Sequence, residues 1–327
     1  MTDVLILGGT GWLSGRVARA WLDAGASVTC LGRGGRPAPE GAELITADRA
    51  EPGAYDEVAS REWEEIVEIS SIPEHVAAAV DSLAATARHV TYVSSLSVYA
   101  SNEEVGADES ASLSEPAQPG DEYDYSRAKA AAEASVRRAA GDRAAIVRPG
   151  LIVGPGDPTD RFGYWVGRLA LAGDAAVLAP TLEGLHTQVI DVDELTGFLV
   201  ERGAERWCGT ANAIGDTMPL GGLIAQARDI AGHTGTIAEA DDEWLVAHDV
   251  QHWMGPRSLP LWLPRDMGGF STRSNAAYRA AGGRIRSIRE TLERTLADER
   301  DRGLDRERRS GLTRAEELAL LSELAAR

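Results

Sequence analysis

The stretch VLILGGTGWLSGRVARAWLDAG, residues 4–25, places a strand, a glycine turn and a helix in immediate succession. Four consecutive apolar residues closed by two glycines have the pattern of a short strand buried on both faces. From Trp12 the apolar residues recur at helical spacing, and Gly25 supplies the stop. Gly8 and Gly11 stand three apart, so the chain turns tightly and brings backbone N–H groups to a helix N-terminus, where a pyrophosphate is held. Residue 14, where a third glycine would ease helix–strand contact, is Ser14, which is small enough for the same place. The turn predicts dinucleotide binding at the first strand of a parallel sheet.

The chain continues in the same alternation. SVTCLG, AELITAD, EEIVEIS, HVTYVSS and AAIVRPG read as the second to sixth strands, with helices over Pro73–Ala87 and 123–140. Strands and helices in this order predict an α/β fold, a doubly wound parallel Rossmann sheet with helices on both faces. After Gly150 the texture becomes turn-rich, which predicts a dinucleotide-binding domain over 1–155. Residues 187–215 then return a further strand, GTANAIG, to the same sheet. Residues 156–186 and 216–327 are expected to form a smaller, mainly helical substrate-binding region with long loops. It ends in a charged helix near 285–301 and a last helix opened by a Thr313–Glu316 capping box.

Net charge excludes whole classes of partner. At −18 the chain is repelled by nucleic acid and by anionic membranes, so neither is expected as a partner. No apolar run is long enough to span a bilayer, and the opening MTDVLILGG carries no cationic leader, which predicts a cytoplasmic protein. Cys30 and Cys208 make no disulfide framework. Asp157 and Asp160 lack a histidine or third acid in register, so no metal site is expected. The scattered histidines receive no role.

The end of the second strand bears on the choice of dinucleotide. An NAD site places an acid there for the adenosine ribose, whereas a 2′-phosphate wants arginine. SVTCLGRGGRP has no acid, but Arg33 and Arg36, which favours NADP(H) over NAD(H). Asp48, after the third strand, is placed to meet the adenine.

EYDYSRAKAAAE, residues 122–133, holds the only lysine of the chain, four residues after Tyr125. Lys and Arg together number 33, so every other long cation is arginine. Arginine is always charged and forked; lysine is a compact charge whose pKa moves, so the two are not interchangeable at a chemical site. On a helix, residues four apart share a face, which lets the Lys129 ammonium approach the Tyr125 phenol. A phenol titrates near pH 10, and lowering that by about 3 units takes roughly 4 kcal/mol, within reach of a nearby cation in a closed site. The fifth strand ends in VSSLSVYA, where Ser95 can hydrogen-bond a substrate oxygen.

Glycine turn, serine and YxxxK together resemble the short-chain dehydrogenase/reductase superfamily, in its extended or atypical branch. The resemblance runs over about residues 3–215, through GGTGWLS, ADR, YVSSLSVYA, YSRAK and RPGLIVGPGDPTDRF. It implies that Tyr125 is the proton donor and acceptor, that Lys129 lowers its pKa and holds the nicotinamide ribose, and that Ser95 completes the triad. Ser95 is chosen because it stands four before the tyrosine of VYA; Ser94 is the alternative. The same resemblance implies that Gly8, Thr10, Gly11, Trp12, Leu13, Arg33, Asp48, Arg49, Lys129 and Pro149 bind the cofactor, and that the chain forms a homodimer.

Departures from the family narrow the function. Leu96 and Ser97 follow Ser95 where sugar-nucleotide dehydratases carry an Asp–Glu pair, which removes the groups that eliminate water. The acid that holds NAD in sugar-nucleotide epimerases is missing, and their HxAA-like run after the fourth strand is replaced by ISSIPEHV. The pattern looks closer to the isoflavone-reductase-like and chloroplast RNA-binding-like branches. The expectation is an NADP(H)-dependent oxidoreductase that reduces a carbonyl or oxidises a hydroxyl of a small organic molecule. The alternatives are an epimerase that retains NAD, and a dinucleotide-sensing or RNA-associated binding protein on the same fold. Arg161 or Asp160 is expected near substrate, and Trp165, Trp244, Trp253 and Trp262 suggest an aromatic pocket.

Overall fold

A computed structural model describes residues 2–327 of the chain. The first half alternates β1 (Asp3–Leu7), α1 (Trp12–Asp23), β2 (Ser27–Gly32), β3 (Glu43–Thr46), α2 (Asp56–Ala59), β4 (Glu65–Glu68), α3 (Pro73–Leu83), β5 (Val90–Val93), α4 (Tyr125–Ala140) and β6 (Ala144–Pro149). The second half adds β7 (Leu151–Val153), α5 (Arg161–Ala172), β8 (Val177–Pro180), β9 (His186–Thr187), β10 (Val189–Asp191), α6 (Val192–Ala204), β11 (Gly209–Ala213), β12 (Met218–Pro219) and α7 (Leu220–Ala231). It closes with β13 (Ile237–Ala240), α8 (Asp242–Ala247), β14 (Gln251–Trp253), β15 (Ser258–Pro260), α9 (Ala276–Ala280), α10 (Ile288–Arg302) and α11 (Arg314–Ala325).

Seven parallel strands form the central sheet in the order β11-β6-β5-β4-β1-β2-β3, with the sequence order reversing at β1. The alternation of side chains along β1 divides two cores. Val4 and Ile6 pack with Val17, Trp21, Leu195 and Leu199 of α1 and α6. Leu5 and Leu7 pack with Val76 and Val80 of α3 and Ala132 and Val136 of α4. Each such fully buried Leu, Ile or Val contributes about 1.5–3 kcal/mol, so the sheet is fixed from both sides. The GTANAIG segment joins as β11 beside β6. A third core surrounds α5, α7 and α10, with Trp165, Leu169, Leu223, Trp262 and Leu292.

Two expectations shift. The helix after Pro73 ends at Leu83, not Ala87, because Trp63 N–H donates to the Thr86 carbonyl and Arg88 N–H to that of Trp63, which draws 86–88 onto the edge of β4. The region beyond Pro219 is less helical than its texture suggests: β13 pairs with β8, and β14 with β15. These strands run only three or four residues and lack an apolar alternation, so sequence pattern does not mark them. The last helix begins as expected, with the Thr313 side chain accepting from Glu316 N–H and Glu316 answering in return.

Candidate active site

Of the cavities that touch the N-terminus of α1, two lie at the C-terminal edge of the sheet, where the strand order reverses. The first, of about 730 Å³, is lined by Gly8, Thr10, Gly11, Arg33, Arg36, Asp48, Arg49, Ile72 and His75 among others. The second, of about 590 Å³, holds Trp12, Leu13, Ser94, Ser95, Tyr125, Lys129, Pro149, Arg161 and Trp253. Every residue assigned from sequence to the dinucleotide or to catalysis therefore lies on one of these two walls.

The glycine turn fits a dinucleotide on its own geometry. Gly8 has φ +86, a conformation that side chains resist, and a Cβ on Gly9 would stand 2.3 Å from the Cys30 sulfur. The backbone is thus pressed onto β2, and α1 starts at Trp12, directly after the turn, where a helix has N–H groups without intrahelical acceptors. Ser14 proves more than a small stand-in. Its hydroxyl accepts from Gly11 N–H at 2.9 Å and donates to the Gly8 carbonyl at 2.6 Å, tying both ends of the turn.

Beyond β2 the loop carries Arg33 and Arg36 exposed to solvent, beside Asp48, whose carboxylate caps Ala50 N–H at 3.0 Å. Arg49 is different. Its guanidinium binds the buried Glu68 carboxylate and reaches the Tyr55 hydroxyl at 2.8 Å and the His75 carbonyl at 2.9 Å. Burial opposes its charge, but Glu68 outweighs that and raises its pKa further. Arg49 forms the wall of the cleft, with its fork already committed inside the protein.

Tyr125 opens α4 because the Asp124 side chain caps the helix by accepting from Arg127 N–H at 2.8 Å, so the helix starts at 125 and not 123. Although the residue is 42% exposed, its hydroxyl end lies in the cavity. There burial raises its pKa, a hydrogen bond from Ser95 and the Arg161 charge act against the rise, and Tyr123 adds to it. Ser95 also accepts from Ser97 N–H at 3.1 Å, which orients it at the end of β5. Ser94 is buried beside the Glu133 carboxylate.

Lys129 takes a position its spacing does not disclose. The ammonium donates to the Val93 carbonyl at 2.8 Å and the Ser70 carbonyl at 3.0 Å, and lies 4.8 Å from the centre of the Tyr92 ring. Burial pushes its pKa down to about 8, with Glu68 and Glu133 holding it up. The cation that bears on the Tyr125 phenol is Arg161, contributed by α5.

A buried network behind Ser95, Tyr125 and Lys129 escaped sequence reasoning. Glu133, one turn beyond Lys129, accepts two hydrogen bonds from Arg148 at 2.8 and 2.7 Å. Arg148 also donates to the Tyr99 hydroxyl at 2.9 Å, and Tyr99 donates to Asn212 at 2.6 Å. The network locks α4, β6, β11 and the segment after β5 together. A glutamate on the inner face of an alanine-rich helix, with an arginine ending an apolar strand, was the available signal.

Other expectations resolve individually. Asp160 stands at φ +60 at the start of α5 and is held by Arg302 at 3.0 Å, Arg306 and the Arg309 N–H at 2.9 Å, so its carboxylate faces the C-terminal segment and not the cavity. Asp157 closes a turn by accepting from Thr159. No cluster of metal-ligating side chains occurs among the described residues. Of the four tryptophans, only Trp253 lines the second cavity. Trp165 and Trp262 are fully buried, with indole N–H groups satisfied by the Pro260 carbonyl at 2.7 Å and by Asp242 at 3.2 Å, and Trp244 stacks on His248. Trp12 joins the cavity from the glycine turn, with its indole N–H on the Pro155 carbonyl at 3.0 Å.

The model of the NAD dependent epimerase/dehydratase family matches residues 4–183, more than half of the sequence. The chain belongs to that family. It is an NAD(P)-dependent enzyme of the extended short-chain dehydrogenase/reductase kind. A comparison with curated protein sequences gave no significant match. Among solved structures, a protein of Burkholderia cenocepacia J2315 named as an epimerase is 21% identical, with a TM-score of 0.70 over 92% of this chain and 98% of that one. UDP-glucose 4-epimerase of Thermotoga maritima, solved with UDP-glucose, is 13% identical, with a TM-score of 0.68 over 92% and 99%. UDP-glucuronic acid 4-epimerase of Bacillus cereus, in complex with NAD, is 14% identical, with a TM-score of 0.65 over 92% and 99%. At these identities the family resemblance in structure is one of fold. No helix among the described residues is long and apolar enough to cross a membrane.

Proposed function

We propose that this family member is an NADP(H)-dependent oxidoreductase that reduces a carbonyl, or oxidises a hydroxyl, of a small organic molecule. The observation that carries the reading is the convergence of Ser95, Tyr125 and Lys129 on one cavity beside the glycine turn. Gly8, Thr10, Gly11, Trp12 and Leu13 would hold the pyrophosphate, Arg33 the 2′-phosphate, Asp48 the adenosine, Lys129 the nicotinamide ribose, and Pro149 the nicotinamide side. Residues 156–186 and 216–327 would supply the substrate walls. When bound, the dinucleotide gives or takes a hydride at its nicotinamide ring.

The protein's own part is proton transfer and orientation. Burial keeps the Tyr125 phenol protonated, so it can donate to a substrate oxygen as negative charge develops there. The Ser95 hydroxyl, fixed by its own loop, hydrogen-bonds the same oxygen and aligns it with the phenol. Positive charge from Arg161 stabilises the phenolate left behind, and the reverse reaction returns the proton by the same route. Leu96, packed in the core at 0% exposure, offers no acid to expel water, which supports hydride exchange over dehydration.

Family membership favours a second reading, an epimerase that keeps its cofactor through the cycle. Two measurements separate them: nucleotide released from the purified, heat-denatured protein, and oxidation of added NADPH with a panel of carbonyl compounds. Little retained nucleotide, with NADPH consumption that Tyr125→Phe abolishes, supports the reductase. Stoichiometric retained NAD with no turnover of added cofactor supports the epimerase.

A further inference from the structure

We propose that Arg161 is the specificity-determining residue of this cavity, and that it selects a substrate carrying one carboxylate on a flat, apolar body. The proposal rests on the oxidoreductase reading, because it places the reacting carbon of that substrate at Tyr125.

The guanidinium of Arg161 is held but not ion-paired. Its Nε donates to the Thr159 hydroxyl at 3.2 Å, and among the described residues no carboxylate oxygen forms an ion pair with its terminal nitrogens. The nearby Asp157 carboxylate accepts from Thr159 N–H at 2.8 Å and Thr159 Oγ1 at 3.0 Å, and acts on Arg161 through its charge without forming an ion pair with it. Three buried arginines of this chain are paired with acids, Arg49 with Glu68, Arg148 with Glu133 and Arg308 with Glu299, while the buried Arg273 is held by the Ser101 carbonyl and the Asn102 side chain. Arg161, half-buried on the cavity wall, differs from these in that its terminal nitrogens carry neither an acid nor a carbonyl among the described residues. Such a fork matches a carboxylate in two parallel hydrogen bonds.

The surroundings set the rest of the substrate. Arg161 lies 5.2 Å from the centre of the Trp253 ring, and Phe270 meets Trp253 edge-on at 5.4 Å, so an aromatic wall stands beside the fork. Ile152 and Met254 complete an apolar lining. Among the described residues, Arg161 and Lys129 are the only cations on that lining, and Lys129 faces two backbone carbonyls. A diphosphate linker would meet a single open fork; one carboxylate is matched by it. The fork is also preset, because the preceding Asp160 is anchored at φ +60 by Arg302, Arg306 and Arg309 N–H. Its desolvation, which lowers the Arg161 pKa, strengthens attraction for an anion.

Calorimetric titration of the full-length protein, with and without NADP⁺, tests this with 2-naphthoate, its neutral analogue 2-naphthamide, and UDP. The wild type is expected to bind naphthoate at least about tenfold tighter than naphthamide, and tighter than UDP. Arg161→Gln should erase that preference while NADP⁺ affinity, a control for folding, is unchanged. Arg161→Lys, a charge without a fork, should keep part of it and decides the matter if the glutamine variant misfolds. Equal affinity for acid and amide, a preference that survives in Arg161→Gln, or UDP as the tighter ligand overturns the proposal. Failure of NADP⁺ to bind would sink the oxidoreductase reading alone, since the titration without dinucleotide still decides for or against Arg161.

Discussion

The Lys129 ammonium donates a 2.8 Å hydrogen bond to the Val93 carbonyl, the last residue of β5. This anchors the only lysine of the chain beneath the cavity, where burial pushes its pKa down to about 8. In the unfolded chain it titrates near 10.4. Between those values the unfolded state binds more protons, so stability contributed by this group rises as pH climbs from about 8 toward 10, by up to about 3 kcal/mol. Below pH 8 the full cost of the buried charge is present. Denaturant unfolding of wild type and Lys129→Met across pH 7–9.5 isolates the group. The wild-type curve should gain on the variant as pH rises; parallel curves would contradict the assignment.

Tyr125→Phe removes the proton and leaves the ring. Turnover should fall about 10²–10⁴-fold, the span of a general acid, while dinucleotide affinity stays within a factor of about two. Comparing kcat in steady state with NADPH affinity by fluorescence quenching separates these. Equal loss in both would mean that Tyr125 holds the cofactor and does not transfer the proton.

The Glu133–Arg148 pair, with both side chains at most 2% exposed, should be costly to break singly. Arg148→Met leaves the buried carboxylate with only the half-exposed Arg137 for an ion pair, at 3.4 Å, and is expected to destabilise by up to about 3–5 kcal/mol, whereas the double variant Glu133→Leu with Arg148→Met should recover much of that. Urea midpoints for the single and double variants check it. A double variant as unstable as the sum of both singles would show that the pair acts through other partners.

Local features were legible in the sequence. The strand of Val4–Leu7 and the turn at Gly8 and Gly11 depend on neighbours within a few residues, as does the i, i+4 spacing of Tyr125 and Lys129. Long-range pairing was not. Nothing near Arg49 announces that Glu68, 19 residues on, takes its guanidinium, and nothing near Tyr125 indicates that Arg161 faces it. Lys129 shows both sides: its helix face was readable, but the carbonyls that hold it come from Val93 at the end of β5 and Ser70 in the loop after β4. Trp253 could not be told from Trp165 or Trp262 by residue type, because only the packing of the C-terminal segment turns one toward the cavity and buries the others.

Binding of NADPH and NADH to the purified protein, repeated with Arg33→Ala, tests the central claim most directly. The account predicts NADPH at least tenfold tighter, about 1.4 kcal/mol, with the preference gone in Arg33→Ala. NADH binding as tightly as NADPH, or a preference untouched by the substitution, would contradict it and bring the NAD-retaining epimerase forward.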